Sequence, residues 1–375
     1  MLTIQAFREA QDQLLDFLLR MVAMESPTTN KAAVDRLGSF LAQQLSELGA
    51  VVSVEGREAV GDLVLGQWRG GEGGILALCH MDTVYELGTL AKTPWRVEDN
   101  RLYGPGALDM KAGIAIFFQA VRLMQKHNQF PTRPLAILLT SDEETGSLHS
   151  RSRIEALAAQ ASLVLCLEPG LPDGALKTAR KGTGDIEIVA RGRAAHAGAN
   201  HSQGCNAIEE LAHHILSVQR LTDYARGTTV NVGIVTGGTR SNVVPDEARA
   251  LVDFRVENAQ ETERIRHWAE ALEPALEGAK VSVIVTQDRP PMPRDERMVA
   301  TFQKAQSIAA KMGLTLSEGS TGGGSDANFV AALGVPVLDG LGGIGEGAHS
   351  EREFVLIDSL AERAALLSGI LTEWS

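Results

Sequence analysis

Four short runs of apolar residues punctuate this chain at 75–79, 135–139, 163–167 and 335–338, and each is continuous rather than alternating. A strand with one wet face alternates apolar and polar side chains. Continuous runs of this length suit strands covered on both faces, as in a parallel sheet flanked by helices. Between the runs lie helical patterns: Val34, Leu37, Leu41, Leu45 and Leu48 in one segment, Ile114, Phe117, Phe118, Val121 and Met124 in another. Strands alternating with helices predict an α/β layer architecture with a mostly parallel sheet. Near the N-terminus, Leu14, Phe17, Leu18, Met21 and Val22 keep the helical spacing. No basic start leads into an uninterrupted apolar stretch there, so we expect an amphipathic helix rather than a secretion signal.

The period changes near residue 180. Ile186, Ile188 and Ala190 alternate with polar neighbours, and a helix through Ile208, Leu211 and Ile215 follows. Next come strands through Val230–Ile234 and Ala248–Phe254, a helix with Ile265, Trp268 and Leu272, and a last strand with Val281, Val283 and Val285. That order, strand–helix–strand–strand–helix–strand, predicts a ferredoxin-like α+β unit with one solvated sheet face. After "QDRPPMPRDE" the buried-strand pattern resumes. We expect a discontinuous larger domain, 1–178 and 289–375, with an inserted unit at 179–288; 375 residues exceed what one core usually serves.

Each buried run ends beside acids or histidines. His80, Met81 and Asp82 follow the first, Asp142, Glu143 and Glu144 the second, Glu168 the third, and the fourth leads on to His349. In open α/β sheets, ligands bind beyond the carboxyl ends of the strands. Asp109, in "YGPGALDMKAG", stands at another boundary, just ahead of a helix starting near Gly113. Asp109 also suits a helix N-cap, and Glu168 before Pro169 and Gly170 also suits a turn. Two histidines and several carboxylates on one rim would repel strongly if left bare, and a divalent metal resolves the conflict. Imidazole with carboxylate and no thiolate suits catalytic zinc, with cobalt or manganese as substitutes.

Other classes are disfavoured. A net charge of −12 argues against nucleic acid or an anionic membrane surface as partner, and no stretch approaches the ~18 apolar residues of a membrane span. The three cysteines form no Cys-x-x-Cys pair, which favours neither a disulfide framework nor a thiolate site and fits a reducing cytoplasm. "STGGGSDANF" is glycine-rich but lacks the spacing that sets a lysine on nucleotide phosphates. Its backbone N–H groups, Gly323 among them, can still hold a carboxylate. For the cationic partner of such a carboxylate the first candidate is Arg289, where the chain re-enters the larger domain, and the second is Arg255 in "VDFRVE". His213 and His214 are adjacent on a helix, cannot face the same way, and are assigned no role.

The segments "HMDTV", "YGPGALDMKAG", "TSDEETGS", "LEPG", "ARGRAAHAG", "STGGGSDANF" and "GAHSEREFV", in this order, resemble the co-catalytic zinc exopeptidases and amidohydrolases. That family includes glutamate carboxypeptidase, acetylornithine deacetylase, succinyl-diaminopimelate desuccinylase and aminoacylase, and the resemblance spans nearly the whole chain. It implies two Zn2+ per subunit, one held by His80, Asp109 and Glu168, the other by Asp109, Glu144 and His349, with Asp109 as the bridge. It further implies that Asp82 orients His80, that Glu143 is the general base, and that His196 with Asn242 serves the reaction across a homodimer built through the inserted unit. The implied activity is hydrolysis of an amide beside a carboxylate-bearing residue in a small peptide, most like a glutamate carboxypeptidase releasing C-terminal glutamate. The alternatives are an N-acyl-amino-acid deacylase and a metal-binding protein without activity. Asp142 is expected to be supporting or structural.

Overall fold

The computed structural model describes residues 1–374. The four apolar runs become the strands Gly74–His80, Leu135–Thr140, Ala161–Cys166 and Val337–Asp339, neighbours in one eight-stranded sheet. Gly74–His80 pairs in parallel with Leu135–Thr140 on one side and Ala161–Cys166 on the other. Val337–Asp339 then pairs in parallel with Ala161–Cys166. Every residue of Gly74–His80 is buried, as an unbroken apolar run requires. Outside this parallel centre the sheet turns antiparallel, through Leu63–Trp68 and Val51–Glu55 on one flank and Leu176–Arg180 on the other.

Helices complete the layers. Gln11–Val22 buries Leu14, Phe17, Leu18, Met21 and Val22, the five positions of the predicted stripe. Lys31–Glu47 begins where the Asn30 side chain accepts the N–H of Ala33, satisfying a donor that the first turn leaves open. Ala112–Lys126 is buried on nearly every side, and its Phe118 meets Phe17 with ring centroids 4.9 Å apart. Among the described residues, no helix is long and apolar enough to cross a membrane.

Because the four central strands are parallel, their carboxyl ends share one edge of the sheet. His80 closes the first strand, residues 142–144 follow Thr140, and Glu168 follows Cys166 by two positions. Two glycines let neighbouring segments come this close. A Cβ at Gly113 would lie 2.0 Å from the Leu167 carbonyl, and one at Gly342 would lie 2.3 Å from that same oxygen. No other residue allows such backbone approach beside Glu168.

The chain divides into two compact units. The first comprises residues 1–179, 294–321 and 325–375; the second comprises 180–293 with 322–324. In the second, Gly182–Arg191, Thr229–Gly237, Glu247–Val256 and Lys280–Arg289 form an antiparallel sheet. Numbered in chain order its strands lie 2-3-1-4, with helices Ala207–Gln219 and Ala259–Glu270 in the two crossovers, so the unit is ferredoxin-like. Ile186, Ile188, Ala250, Val252, Phe254 and Ile265 are among its core residues.

Glu261, in the first turn of Ala259–Glu270, ties that core together. Its carboxylate accepts from Arg264 Nε and Nη2 at 2.8 and 2.6 Å, from Thr228 Oγ1 at 2.7 Å and from Arg226 Nη1 at 3.3 Å. The Arg264 hydrogen bonds, working against burial, hold its pKa down to about 2. A depressed carboxyl contributes stability that is present above the unfolded pKa, near 4.5, and lost as pH falls toward the folded value near 2. Glu261→Gln should therefore destabilise this unit by about 2–3 kcal/mol at pH 7. In urea unfolding followed against pH, the gap between wild type and variant should close below pH 4.5.

Candidate metal centre

His80 stands at the carboxyl end of the central strand with its side chain 1% exposed, so each ring nitrogen needs a partner. Nδ1 lies 2.9 Å from the Asp82 carbonyl and 3.5 Å from Asp82 Oδ1, which turns Nε2 outward. Nε2 then meets Asp109 Oδ1 at 3.2 Å and Glu168 Oε1 at 3.5 Å. The second oxygen of Asp109 faces the other imidazole, 3.4 Å from His349 Nε2, and Glu144 Oε2 lies 3.0 Å from the same nitrogen. A carboxylate oxygen of Glu143 and ligand atoms of His80 and Glu168 lie within 4.8 Å of one another, as do those of His80, Asp109 and Glu144.

Local structure explains the aim of each group. Asp109 is not an N-cap: the helix behind it starts at Ala112 with Lys111 in the cap position, and the Asp109 carboxylate is directed at the imidazoles. The Asp109–Met110 peptide bond is cis. Glu143 and Glu144 open a single 3-10 turn, Glu143–Thr145, two residues beyond the end of the buried strand at Thr140. Their backbone N–H groups donate to Asp82 Oδ1 and Oδ2 at 3.3 and 3.2 Å, and Thr28 Oγ1 donates to Oδ2 at 2.7 Å. One buried carboxylate, Asp82, thus anchors the His80 ring and the acidic turn together. Asp142 stays below that turn: its Oδ2 accepts the N–H of His149 at 2.6 Å, its carbonyl accepts from Thr145 and Ser147, and burial raises its pKa.

Charge in this cluster is unevenly held. Burial opposes a proton on His80, yet hydrogen bonds to Asp109, Asp82 and Glu168 outweigh it and hold its pKa well above the usual histidine value. Hydrogen bonds to Asp109 and then Glu144 push His349 up to about 11. Burial works to raise the Asp109 carboxyl, but hydrogen bonds to His349 and His80 hold it far below the usual range. Glu144 goes the other way, raised by burial. The carboxylates therefore draw positive charge to the two places where an imidazole meets an acid. With no metal, protons on the imidazoles supply that charge; two divalent cations would supply it better, and a set of histidine and carboxylate donors without thiolate fits them.

The model of peptidase family M20/M25/M40 matches residues 76–373. The chain belongs to this family. It is thereby a hydrolase, of a metal-dependent family of peptidases and deacylases. Carboxypeptidase G2 of Pseudomonas sp. (strain RS-16) is 33% identical over 98% of this chain and 91% of its own length. Acetylornithine deacetylase of Myxococcus xanthus is 31% identical over 72% of each. The solved Bacillus subtilis YXEP protein, described as a dinuclear metal-binding peptidase of family M20, shares the fold with a TM-score of 0.71 at 16% identity, covering 98% of both chains.

The remaining candidates of this M20 chain lie in its second unit. His196 ends the short strand Ala195–His196, which pairs with Val243–Val244, and the N–H of Ala197 donates to the Asn242 carbonyl at 3.0 Å. The two residues are thus neighbours, and both are exposed. His196 Nδ1 accepts the N–H groups of Gly198 and Ala199 at 3.1 and 3.0 Å. Arg289 is buried and packs against Gly324, where a Cβ would lie 2.7 Å from its Cδ, and Arg180 Nη1 donates to the carbonyls of Gly323 and Gly324 at 3.1 Å each. Arg255 is already matched on its own strand: Nε and Nη2 donate to the two Asp253 oxygens at 3.0 and 2.8 Å. His214 is buried and bonded to Glu210 at 2.7 Å, while His213 is exposed.

Proposed function

We propose that this chain is a dizinc peptidase of family M20 that releases a C-terminal glutamate or a similar carboxylate-bearing residue from a small peptide. The observation that carries the dinuclear reading is the split of Asp109, one oxygen toward each imidazole. The substrate class is supported by the 33% identity to a carboxypeptidase across nearly the full chain.

In this reading His80, Asp109 and Glu168 hold one metal ion and Asp109, Glu144 and His349 the other. The pair, when bound, supplies Lewis-acid polarisation of the scissile carbonyl and an acidified water. Asp82 fixes the His80 tautomer, since Nδ1 faces an acceptor and Nε2 is left as the ligand. Glu143 takes the proton of the attacking water and returns it to the leaving amide nitrogen. His196 Nδ1 accepts the N–H groups of Gly198 and Ala199, which leaves Nε2 to carry a hydrogen and donate to the oxygen that gains charge, with Asn242 beside it. Arg289 and the backbone of Gly323 receive the substrate carboxylate; Arg255 stays the second candidate, its guanidinium already occupied by Asp253.

The inserted unit acts as lid and as the surface of a homodimer. Support comes from Ile234 and Val235, exposed on the edge strand Thr229–Gly237, and from Ile208 and Leu216, exposed on Ala207–Gln219. An apolar edge of this kind is a site for strand and helix pairing. The three cysteines, all buried and free, fit a cytoplasmic location.

A second reading, N-acyl-amino-acid deacylase, is favoured by the acetylornithine deacetylase relative. The two share the metal centre and differ in which side of the amide carries the recognised group. A panel of glutamyl-terminated peptides against N-acetylated amino acids, with zinc-loaded protein, separates them: we expect kcat/KM at least about tenfold higher on the glutamyl substrates, a difference of ~1.4 kcal/mol in transition-state binding. Preference for N-acetylornithine would replace the first reading by the second.

A further inference from the structure

Four residues beyond His349, the side chain of Glu353 is buried and every lone-pair direction is in use. Oε1 accepts the N–H of Leu108 at 2.8 Å and that of Asp109 at 2.9 Å. Oε2 accepts the N–H of Gly106 at 3.1 Å and the Tyr85 hydroxyl at 2.5 Å. The Tyr85 oxygen also lies 2.8 Å from the Ser350 carbonyl, so it touches the 349–353 turn at both ends. Backbone bonds fix Glu353 in place: its N–H donates to the Ser350 carbonyl at 3.0 Å and its own carbonyl accepts from Gly104 at 3.3 Å. The strand that follows, Phe354–Leu356, pairs with Arg101–Tyr103, which leads into the Asp109 turn.

We infer that Glu353 is a positioning residue that couples the two turns of the metal centre, so that Asp109 and His349 present their ligand atoms at a fixed separation. A buried carboxylate costs free energy unless it is fully hydrogen-bonded, and here three of its four donors are backbone N–H groups of one turn, including that of Asp109 itself. The turn it organises begins at Gly106 with φ +70°, while His349 sits at φ +62°, a left-handed conformation uncommon outside glycine. Glu353 serves both needs at once: its carboxylate grips the first turn and its backbone ends the second. Outer residues of this kind are worth 10–100-fold in metal affinity because ligand atoms displaced by a fraction of an ångström no longer converge.

The inference rests on the assignment of Asp109 and His349 as metal ligands, and the test separates the two. Metal-free wild type, Glu353→Gln and Tyr85→Phe are titrated with Zn2+ by competition against a chromophoric chelator, with thermal unfolding of each metal-free protein measured alongside. Glutamine keeps the shape but sets an NH2 group against N–H donors, so affinity should fall about 10–100-fold for at least one equivalent. Saturating Zn2+ should restore most of kcat with KM near the wild-type value. Tyr85→Phe, which removes one donor and leaves the turn intact, should weaken affinity by about two- to fivefold, on the order of one net hydrogen bond or less. A folded Glu353→Gln that binds both equivalents as tightly as wild type, with only its unfolding temperature lowered, overturns the coupling and leaves Glu353 a stabilising residue alone. Should Glu353→Gln fail to fold, unchanged affinity in Tyr85→Phe overturns it. Wild type that takes up fewer than two equivalents overturns the ligand assignment, and this inference with it.

Discussion

Replacing Glu143 with alanine should lower kcat by about 10³–10⁴, near the upper range for a lost general acid–base group. It should do so without emptying the metal centre. The acids of the 143–145 turn are adjacent, yet each is placed beside its own partners: Glu144 Oε2 lies 3.0 Å from His349 Nε2, whereas Glu143 gathers with His80 and Glu168. If Glu143 handles the proton and Glu144 the metal, the two alanine variants diverge. Glu143→Ala keeps two zinc equivalents and loses turnover, while Glu144→Ala loses metal first. Metal content by mass spectrometry alongside steady-state rates reads this directly. Glu143→Ala protein that retains wild-type kcat removes the residue from the mechanism. One that loses a zinc equivalent makes Glu143 a ligand.

The parallel centre of the fold was legible because its strands are buried on both faces and carry no polar interruption, and the chemistry lay at their ends because parallel strands bring those ends to one edge. The ferredoxin-like unit was legible for the converse reason: Ile186 and Ile188 alternate with Asp185 and Glu187, which marks a strand with one wet face. The sheet made by Arg96–Glu98, Arg101–Tyr103, Gly345–Glu346 and Phe354–Leu356 escaped, since two or three residues are too few to display a period. So did the contacts that aim the site. Tyr85 and Glu353 are 268 positions apart, and Thr28 and Asp82 are 54 apart; nothing local in either segment announces its partner. The pairing of Arg255 with Asp253, by contrast, follows from period two, which puts residues two apart on one face of a strand. Asp253 is therefore the partner that Arg255 meets first on its own strand.

Asp109→Asn should have the widest effect of any single substitution in this chain, because one side chain serves both halves of the site. An amide keeps the volume of the carboxylate but has one acceptor oxygen and no charge, so it can face only one of the two imidazoles as an acceptor. Residues that merely orient a metal ligand are worth 10–100-fold in affinity, and a ligand shared between two ions should exceed that, so Zn2+ binding should weaken by more than about 100-fold for at least one equivalent. A second consequence needs no metal. Asp109 is the leading cause of the raised pKa of His349, and the first of three carboxylates that overcome burial at His80. In metal-free wild type His349 should stay protonated at pH 8, below its folded pKa of about 11. In the variant only Glu144 remains to hold that proton, and the ring should titrate closer to the usual value of 6.5. The stability tied to the raised pKa is fully present below 6.5 and lost as pH rises toward 11, so the metal-free variant should lack that slope. Nitrogen-detected NMR of the histidine rings from pH 6 to 11 checks the proton, and zinc titration checks the metal. If His349 in the variant titrates as in wild type, the Asp109 carboxylate does not control that ring. If zinc uptake is also unchanged, the shared-ligand assignment fails.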